Sequence, residues 1–270
     1  MTQITRDQIY AEAVGRPLHW DIYWPDGPGR RAAVILVHGG GWVQGSRTGL
    51  AAHGELLASM GFVALAIEYR FVTETPWPAP MQDVRTAIRA AHANADALGY
   101  DADKIFIMGF SAGSHLAQMA TFAPPELFRA EHRPHPNAPE TVAAVGAFYS
   151  PRPLMLGGAR VLREATPEAE WPLLSPITHV ANAPPTILLH GTGDTVALVI
   201  SSYAMNEALT KAGRVVDLRL YHQLPHGFDR LPGMMEASIR DTIAFFEREV
   251  LNRERVQSAL AAFARAAPAA

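Results

Sequence analysis

The pentapeptide Gly109-Phe110-Ser111-Ala112-Gly113 decides the fold of this chain. It follows an apolar run, residues 105–108, and precedes an amphipathic stretch, residues 114–120, so a strand, a sharp turn and a helix are predicted in that order. A serine between small neighbours in that context is typical of a nucleophile elbow. The elbow lifts the hydroxyl clear of the sheet and points the next amide toward a developing oxyanion. Because the pentapeptide occurs by chance in about one chain in ten of this length, the rest of the sequence has to support it.

A glycine-rich loop, His38-Gly39-Gly40-Gly41-Trp42, follows the first buried strand that the sequence predicts. Three consecutive glycines carry a cost in backbone entropy, and they let main-chain N–H groups converge on a ligand. In acyl transfer that ligand is the oxyanion of the tetrahedral intermediate, and losing one donor lowers the rate about 10²–10³-fold. The loop is therefore predicted to serve an oxyanion hole, with a flexible connection as the structural alternative.

A serine nucleophile needs a general base, and His226 is the best candidate among the eleven histidines. It lies in the loop at 224–228, after the last predicted strand and before the last helix, whereas His222 lies at a strand end. The sequence around Glu131 and His132 has no third ligand at a spacing that suits a metal. Structural roles in ordering loops or filling the core are predicted for His38, His115 and His190.

The orienting acid is predicted to be Asp194, which follows a strand within a glycine-rich turn and precedes His226 by 32 residues. The chain order Ser, Asp, His is the order of nucleophile-elbow hydrolases. The alternative is that Asp194 only caps the next helix. Three other aspartates are less suitable by position: Asp83, Asp217 and Asp229.

Composition favours one large α/β domain with a substantial core. The chain has 270 residues, 49% of them hydrophobic and 18% charged, with a net charge of −3. The charge balance gives no sign of a nucleic-acid partner, and no apolar run approaches the roughly 18 residues of a membrane span. Without cysteine, disulfides and thiolate chemistry are excluded. The N-terminal residues lack the apolar core of a signal peptide, so a cytoplasmic protein is expected.

Short apolar runs alternate with helical patterns, which predicts a mostly parallel sheet of about eight strands covered by helices on both faces. An antiparallel edge hairpin is expected at 8–14 and 17–24. One helix is predicted to carry an apolar stripe from Met81 to Ala91, with Arg85 and Arg89 on its opposite, polar face. The other strands are predicted at 33–37, 62–67, 105–108, 142–148, 186–189 and 216–220.

We predict a single domain over residues 1–253. Two irregular segments, 123–140 and 150–182, are expected to form a small cap over the pocket. Residues 254–270 form an Ala-rich C-terminal extension, for which the sequence leaves open a frayed helix or packing on a partner subunit.

The four ordered motifs resemble the α/β-hydrolase fold, and more narrowly the esterases related to hormone-sensitive lipase. HGGGW and GFSAGSHLA are similar to the small carboxylesterases, including feruloyl-esterase-like and acetyl-esterase-like proteins, and arylformamidases look similar at the same positions. The resemblance implies Ser111 as nucleophile, His226 as base and Asp194 as acid. It implies an oxyanion hole near three amides: Gly40, Gly41 and Ala112.

The sequence departs from the pattern of these esterases at two points that bear on substrate specificity. Position 114 is Ser where many relatives have a second glycine, and the long N-terminal cap helices of lipase-like members are missing, so a more open acyl pocket is expected. Trp42 and Phe110 adjoin the catalytic backbone and are the main candidates to bind substrate. Four further aromatic residues are weaker candidates to line the pocket: Trp77, Tyr149, Trp171 and Phe228.

The predicted function is hydrolysis of short-chain or aryl carboxylic esters, a small-molecule substrate, without metal or cofactor. Hydrolysis of N-formyl anilides is the enzymatic alternative, because the same groups serve both reactions. A ligand-binding protein on a hydrolase scaffold is the non-enzymatic alternative, although all three triad residue types are present. The sequence leaves the oligomeric state open, with a homodimer as one option.

Overall fold

The computed structural model of the protein describes residues 2–13, 15–27 and 31–266. The strands are β1 (Gln3–Ala13), β2 (Arg16–Trp24), β3 (Arg31–Val37), β4 (Val63–Ile67), β5 (Tyr100–Phe110), β6 (Ala144–Phe148), β7 (Thr186–Gly191) and β8 (Val216–Tyr221). The α-helices are α1 (Ala51–Ser59), α2 (Ala79–Asn94), α3 (Ala112–Phe122), α4 (Arg160–Ala165), α5 (Ile200–Lys211), α6 (Met234–Phe246) and α7 (Arg253–Ala266). Short 3₁₀ turns and one π turn connect some of them.

All eight strands form one sheet in the order β1-β2-β4-β3-β5-β6-β7-β8. Strands β3 to β8 run parallel, while β2 pairs antiparallel with both β1 and β4. The mostly parallel eight-stranded sheet predicted from the sequence is confirmed. The edge hairpin is present but starts earlier than predicted, at Gln3, and Val14 lies outside the described residues.

Helices cover both faces because the central strands are apolar along their whole length. In β3, Ala33, Ile35 and Val37 enter one core cluster with residues of α2 and α3, while Val34 and Leu36 enter a second cluster with residues of α1 and α6. Strand side chains alternate between faces, so a continuous apolar run can only be satisfied by a sheet buried on both sides. This arrangement fixes the strand ends that carry the site.

The two arginines predicted for the polar face of α2 are instead buried, so this part of the prediction is wrong. Arg85 and Arg89 are 3% and 2% exposed. The Arg85 guanidinium donates hydrogen bonds to the main-chain carbonyls of five residues: Ala120, Ala123, Pro124, Pro125 and Leu127. Arg89 donates to the Pro134 carbonyl at 2.9 Å and to Glu140 at 2.5 Å. A buried arginine is tolerated when its donors are all used in this way.

These contacts place the segment at 123–140 against α2. It follows α3 and leads toward the N-terminal end of β6, so it lies away from the loops after the strands. Among the described residues, none of this segment lines the cavity around Ser111. The cap expected there is therefore not found over that cavity.

The second irregular segment does reach the cavity, through Pro151, Ala159 and Arg160. It contains α4 and three 3₁₀ turns. At the C-terminus, a π turn at Glu247–Leu251 leads into α7, on which Leu260 and Phe263 are exposed. Residues 267–270 of the predicted extension lie outside the described residues. Among the helices in the described ranges, none is long and apolar enough to cross a membrane.

Candidate active site

The candidate site lies where the parallel strands end. The glycine loop follows β3, Ser111 follows β5 and Tyr149 follows β6. Asp194 lies in the loop after β7, and His226 lies in the loop after β8. Because these strands are parallel neighbours, their carboxyl ends share one edge of the sheet, and the loops after them converge there. Residues far apart in the sequence are thus brought into one place.

Ser111 occupies a strained turn between β5 and α3. Its backbone has φ 54° and ψ −119°, a left-handed φ that non-glycine residues rarely adopt. A Cβ on Gly109 would lie 2.3 Å from the Gly113 carbonyl oxygen, and one on Gly113 would lie 2.2 Å from the Val37 oxygen. Both glycines are therefore required by the close passage of main chain, as the elbow motif predicts.

The glycine loop packs directly against this elbow. A Cβ on Gly39 would lie 2.8 Å from the Phe110 carbonyl oxygen and 3.1 Å from Ser111 Cβ. Gly40, Gly41 and Trp42 follow with φ values of 126°, 62° and 64°. Within the described residues, the N–H groups of Gly40, Gly41 and Ala112 donate no hydrogen bond to another protein group. They are therefore free to bind a ligand.

Ser111, His226 and Asp194 form one hydrogen-bonded chain. The distance between His226 Nδ1 and Asp194 Oδ2 is 2.7 Å, and that between His226 Nε2 and Ser111 Oγ is 2.9 Å. A carboxylate only accepts hydrogen bonds, so Nδ1 carries the proton. Nε2 is then free to accept the hydrogen of the Ser111 hydroxyl, the arrangement that a general base requires.

Asp194 uses both of its oxygens. Oδ1 accepts the N–H groups of Val196 and Ala197, each at 2.8 Å, so the capping role considered for this residue exists beside its contact with His226. Burial alone raises the pKa of Asp194, but hydrogen bonds from His190, His226 and the Ala197 amide outweigh it and hold that pKa well below its usual range. The Asp194 carboxyl is therefore an anion at neutral pH.

His190 supports the acid rather than the glycine turn predicted for it. Its Nε2–H donates to the Ala197 carbonyl at 2.6 Å and lies 3.3 Å from Asp194 Oδ2, and Nδ1 accepts the Ser202 hydroxyl at 2.7 Å. The side chain is completely buried. It therefore holds the segment after Asp194 in the conformation that directs the carboxylate to His226.

Two more buried histidines order the glycine loop. His38 Nδ1–H donates to the Gly39 carbonyl at 2.7 Å. His115, on α3, accepts the Trp42 indole N–H at 3.3 Å and donates from Nε2 to the Leu174 carbonyl at 2.8 Å. Burial lowers the pKa of each imidazole to about 4. Both predictions of a structural role agree with these contacts.

The two buried histidines predict that the protein loses stability as the pH falls below about 6.5. Their pKa values are lower in the folded state (about 4) than the ordinary 6.5, so the unfolded chain binds more protons between these limits. Each histidine contributes about 3 kcal/mol to the free energy of unfolding. This contribution is present above pH 6.5 and is lost as the pH approaches 4. Urea unfolding at several pH values should show the free energy of unfolding falling over this range.

A loss of stability caused by protonation of carboxylates would occur at a lower pH than the loss caused by the two histidines. Glu68 and Glu140 have pKa values below the usual 4.5, because hydrogen bonds and cations outweigh their burial. Their contribution is therefore lost only below about pH 4.5. The His115→Gln variant should show a shallower decline than the wild type between pH 6.5 and 4.5. Equal slopes in both proteins would contradict the assignment to His115.

The cavity around Ser111 has a volume of about 620 Å³ and also includes His226 and the glycine loop. Of the aromatic residues expected there, Trp42, Phe110 and Tyr149 line it. The other three lie elsewhere: Trp77 against His115 and Phe128, Trp171 against Arg163, and Phe228 buried behind Tyr149. Local sequence could not separate these cases because all six occur in loops or at strand ends.

Sequence reasoning missed His53, and it missed the contacts that Asp229 and Tyr149 make beside the site. Asp229 accepts hydrogen bonds from the other two side chains. The only sequence signal was the proximity of Asp229 to His226. No group of three or more His, Cys, Asp or Glu side chains suited to a metal ion occurs in the described parts of the chain, and His132 contacts the Glu12 carbonyl at 2.9 Å.

The chain is similar in sequence to proteins that are named as esterases or carboxylic ester hydrolases. "Esterase LipC" of Mycobacterium tuberculosis is 33% identical over 87% of this chain and 62% of its own length. "Probable carboxylic ester hydrolase LipM" of the same organism is 29% identical over 90% of this chain and 61% of its own length. The chain thus spans about three fifths of the length of these curated relatives.

Among solved structures, a thermophilic esterase from Thermogutta terrifontis matches with a TM-score of 0.80 at 27% identity and covers 92% of both chains. Structures of the same esterase with propionate bound and phosphorylated by paraoxon match with TM-scores of 0.78 and 0.80, both at 27% identity. The former covers 93% of this chain and 94% of that one, and the latter 92% and 94%.

The BD-FAE family model matches residues 20–209, which include the glycine loop, the elbow and Asp194. Together with the sheet order and the structural neighbours, this match confirms the resemblance found in the sequence. The chain therefore belongs to the BD-FAE family and has the α/β-hydrolase fold.

Proposed function

We propose that the protein is a serine carboxylesterase in which Ser111, His226 and Asp194 form the catalytic triad. The observation that carries this proposal is the continuous chain of hydrogen bonds, 2.9 Å and 2.7 Å long, that joins the three side chains. The N–H groups of Gly40, Gly41 and Ala112 beside Ser111 supply the oxyanion hole. Named esterases and carboxylic ester hydrolases among the relatives support the same reaction class.

The reaction proceeds by two acyl transfers. Ser111 Oγ forms a bond to the ester carbonyl carbon while its proton moves to His226 Nε2, and Asp194 stabilises the resulting imidazolium. The carbonyl oxygen becomes an oxyanion, which the free N–H groups bind. The carbon–oxygen bond to the alcohol then breaks, and the alcohol leaves with the proton from Nε2. Water then gives a proton to His226 Nε2 and attacks the acyl carbon. The bond between that carbon and Ser111 Oγ breaks, Oγ takes the proton back from Nε2, and the acid leaves.

A short acyl group or an aryl ester is the substrate class that the cavity supports best. Its volume of about 620 Å³ suits a small ligand, and Trp42, Phe110 and Tyr149 provide apolar walls. Only Pro151, Ala159 and Arg160 of the second irregular segment contribute to it, so little of the chain covers a long acyl tail. Propionate binding by the Thermogutta terrifontis esterase is consistent with this size.

A series of p-nitrophenyl esters from acetate to dodecanoate tests the substrate class. We expect kcat/KM to be highest for acyl groups of about two to six carbons, because longer chains leave the apolar walls and gain no further contact. Hydrolysis should be compared at equal monomeric substrate concentrations. A maximum at long acyl chains would overturn the short-chain proposal while leaving the triad intact.

Hydrolysis of N-formyl anilides is the second candidate. Arg160 and Arg230 are among the residues that line the cavity, and their positive charge would attract the carboxylate of an amino-acid anilide such as N-formylkynurenine. Parallel assays with that compound and p-nitrophenyl acetate discriminate the two reactions, because only one should reach a high kcat/KM.

The cytoplasm remains the location that we propose from the sequence, and no oligomeric state is favoured by the site.

A further inference from the structure

A second buried hydrogen-bonded chain lies beside the catalytic imidazole. The Tyr149 hydroxyl donates to Asp229 Oδ1 at 2.6 Å, and His53 Nε2–H donates to Asp229 Oδ2 at 2.9 Å. The three residues are 3%, 1% and 2% exposed. The ring of Tyr149 meets that of His226 in a T-shaped contact, with 4.7 Å between the centroids. This chain of hydrogen bonds thus ends against the ring of His226.

Each member comes from an element that adjoins the triad. Tyr149 directly follows β6, and Asp229 lies three residues after His226 in the same loop. His53 is on α1 and packs against Phe110, the residue before Ser111, with 4.8 Å between ring centroids. The chain therefore links the loop that carries His226 to the elbow that carries Ser111.

The contact with Asp194 does not by itself fix the imidazole. One hydrogen bond to Nδ1 leaves the ring free to turn about the axis of that bond, and such a turn would move Nε2 away from Ser111. The His226 side chain is 21% exposed, so its ring is not enclosed on every side. Tyr149 packs against the ring and can oppose this motion if it is held firmly.

Tyr149 is held at both ends. Its backbone has φ 36°, which is uncommon for a residue with a side chain, and its N–H donates to the Leu189 carbonyl at 2.7 Å. Such conformations persist where surrounding contacts determine them, and they concentrate at active sites. At the other end, the phenol is bound by Asp229, whose second oxygen is bound by His53.

The charges in the chain are complementary. Burial raises the pKa of Tyr149 well above its ordinary value, so the phenol remains a donor. Burial also opposes ionisation of Asp229, but hydrogen bonds from His53 and Tyr149 lower its pKa and keep it an acceptor. Both carboxylate oxygens of this buried residue thus have a donor.

We propose that Tyr149, Asp229 and His53 form a positioning chain that keeps His226 Nε2 directed at Ser111, an inference that rests on the proposed esterase function. None of the three touches the reacting atoms as acid, base or nucleophile. They act through the orientation of the imidazole. Loss of the chain should therefore lower the rate of the chemical steps and leave substrate binding nearly unchanged.

The test uses Tyr149→Phe, which removes one oxygen and keeps the ring, and Asp229→Asn, which can accept only one of the two donors. Each should lower kcat for p-nitrophenyl acetate about tenfold with KM within about twofold of wild type. The double variant should be no worse than the poorer single one, because both break the same chain. His53→Gln keeps an N–H donor and should retain more activity than His53→Leu.

Tyr100→Phe is the matched control, since Tyr100 is fully buried and donates to the Ala91 carbonyl at 2.6 Å at the far end of β5. It should lose stability in thermal unfolding and keep its kcat. If Tyr149→Phe and His53→Leu lose stability to the same extent and also keep kcat, the chain is structural only and the proposal is overturned.

A spectroscopic readout separates this proposal from the esterase proposal. The proton on His226 Nδ1 gives a far-downfield ¹H NMR signal when it is held in a hydrogen bond to a carboxylate. The signal should broaden or shift in Tyr149→Phe and remain unchanged in Tyr100→Phe. Such a difference in a protein that hydrolyses no ester would support positioning and refute the function. Ester hydrolysis with an unchanged signal and unchanged kcat would do the reverse.

Discussion

Replacing Ser111 by alanine is expected to lower kcat for p-nitrophenyl esters on the order of 10⁶-fold. In the proposed mechanism the hydroxyl forms the acyl-enzyme, and its hydrogen bond to His226 is 2.9 Å long. Without it no acyl-enzyme can form, and the remaining groups can only assist direct attack by water. Steady-state hydrolysis of p-nitrophenyl acetate at saturating concentration measures the loss.

Covalent labelling gives an independent view of the same residue. Wild-type protein treated with paraoxon should carry one diethylphosphoryl group on the peptide that contains Ser111, and the alanine variant should carry none there. Ser114→Ala is the matched control, because Ser114 lies one helical turn away and its hydroxyl contacts Ser150 rather than His226. Activity in Ser111→Ala equal to that of the wild type would refute the mechanism.

Asp194→Asn is expected to lower kcat about 10⁴-fold, the second largest effect. An asparagine can keep its oxygen toward the N–H groups of Val196 and Ala197, so the turn is preserved. Its amide then faces His226 Nδ1 and favours the tautomer with the proton on Nε2. In that tautomer the imidazole cannot accept the Ser111 proton, so the base is lost although its position is kept.

Asp217→Asn is the control for this prediction. Asp217 lies on β8, pairs with Arg219 and Arg248 at the surface, and was a weaker candidate for the acid. It should keep kcat within about twofold of wild type. A loss of less than tenfold in Asp194→Asn would show that another carboxylate, with Asp229 the nearest candidate in sequence, orients His226.

The parts of the site that the sequence predicts well are those that a turn or a close approach imposes. Gly109 and Gly113 are required because main-chain atoms pass within 2.3 Å of where their Cβ atoms would be. The apolar runs of β3 to β7 predict a sheet buried on both faces because nothing else buries them. The proximity of Asp194 and His226 to Ser111 is predictable because each residue lies in a loop that follows a predicted strand of the parallel sheet.

The parts that escape prediction depend on contacts between distant segments. Asp229 and His53 are 176 residues apart, and no local pattern announces their hydrogen bond. Arg85 has the spacing of a solvent-facing residue on an amphipathic helix, yet another segment covers it. Trp77 and Trp171 occur in loops as Trp42 does, and only the path of those loops decides that they miss the cavity. In each case tertiary structure overrides a reasonable local expectation.

The five carbonyl groups around Arg85 bear on which side-chain substitutions the segment at 120–127 can accept. A carbonyl is presented by every residue type, so the guanidinium recognises the course of the main chain at 120–127 and ignores the side chains on it. Substitutions there can accumulate without altering the shape of the connection. Substitution of Arg85 itself would leave several buried acceptors without donors. The shape of this connection thus depends on one residue of a neighbouring helix.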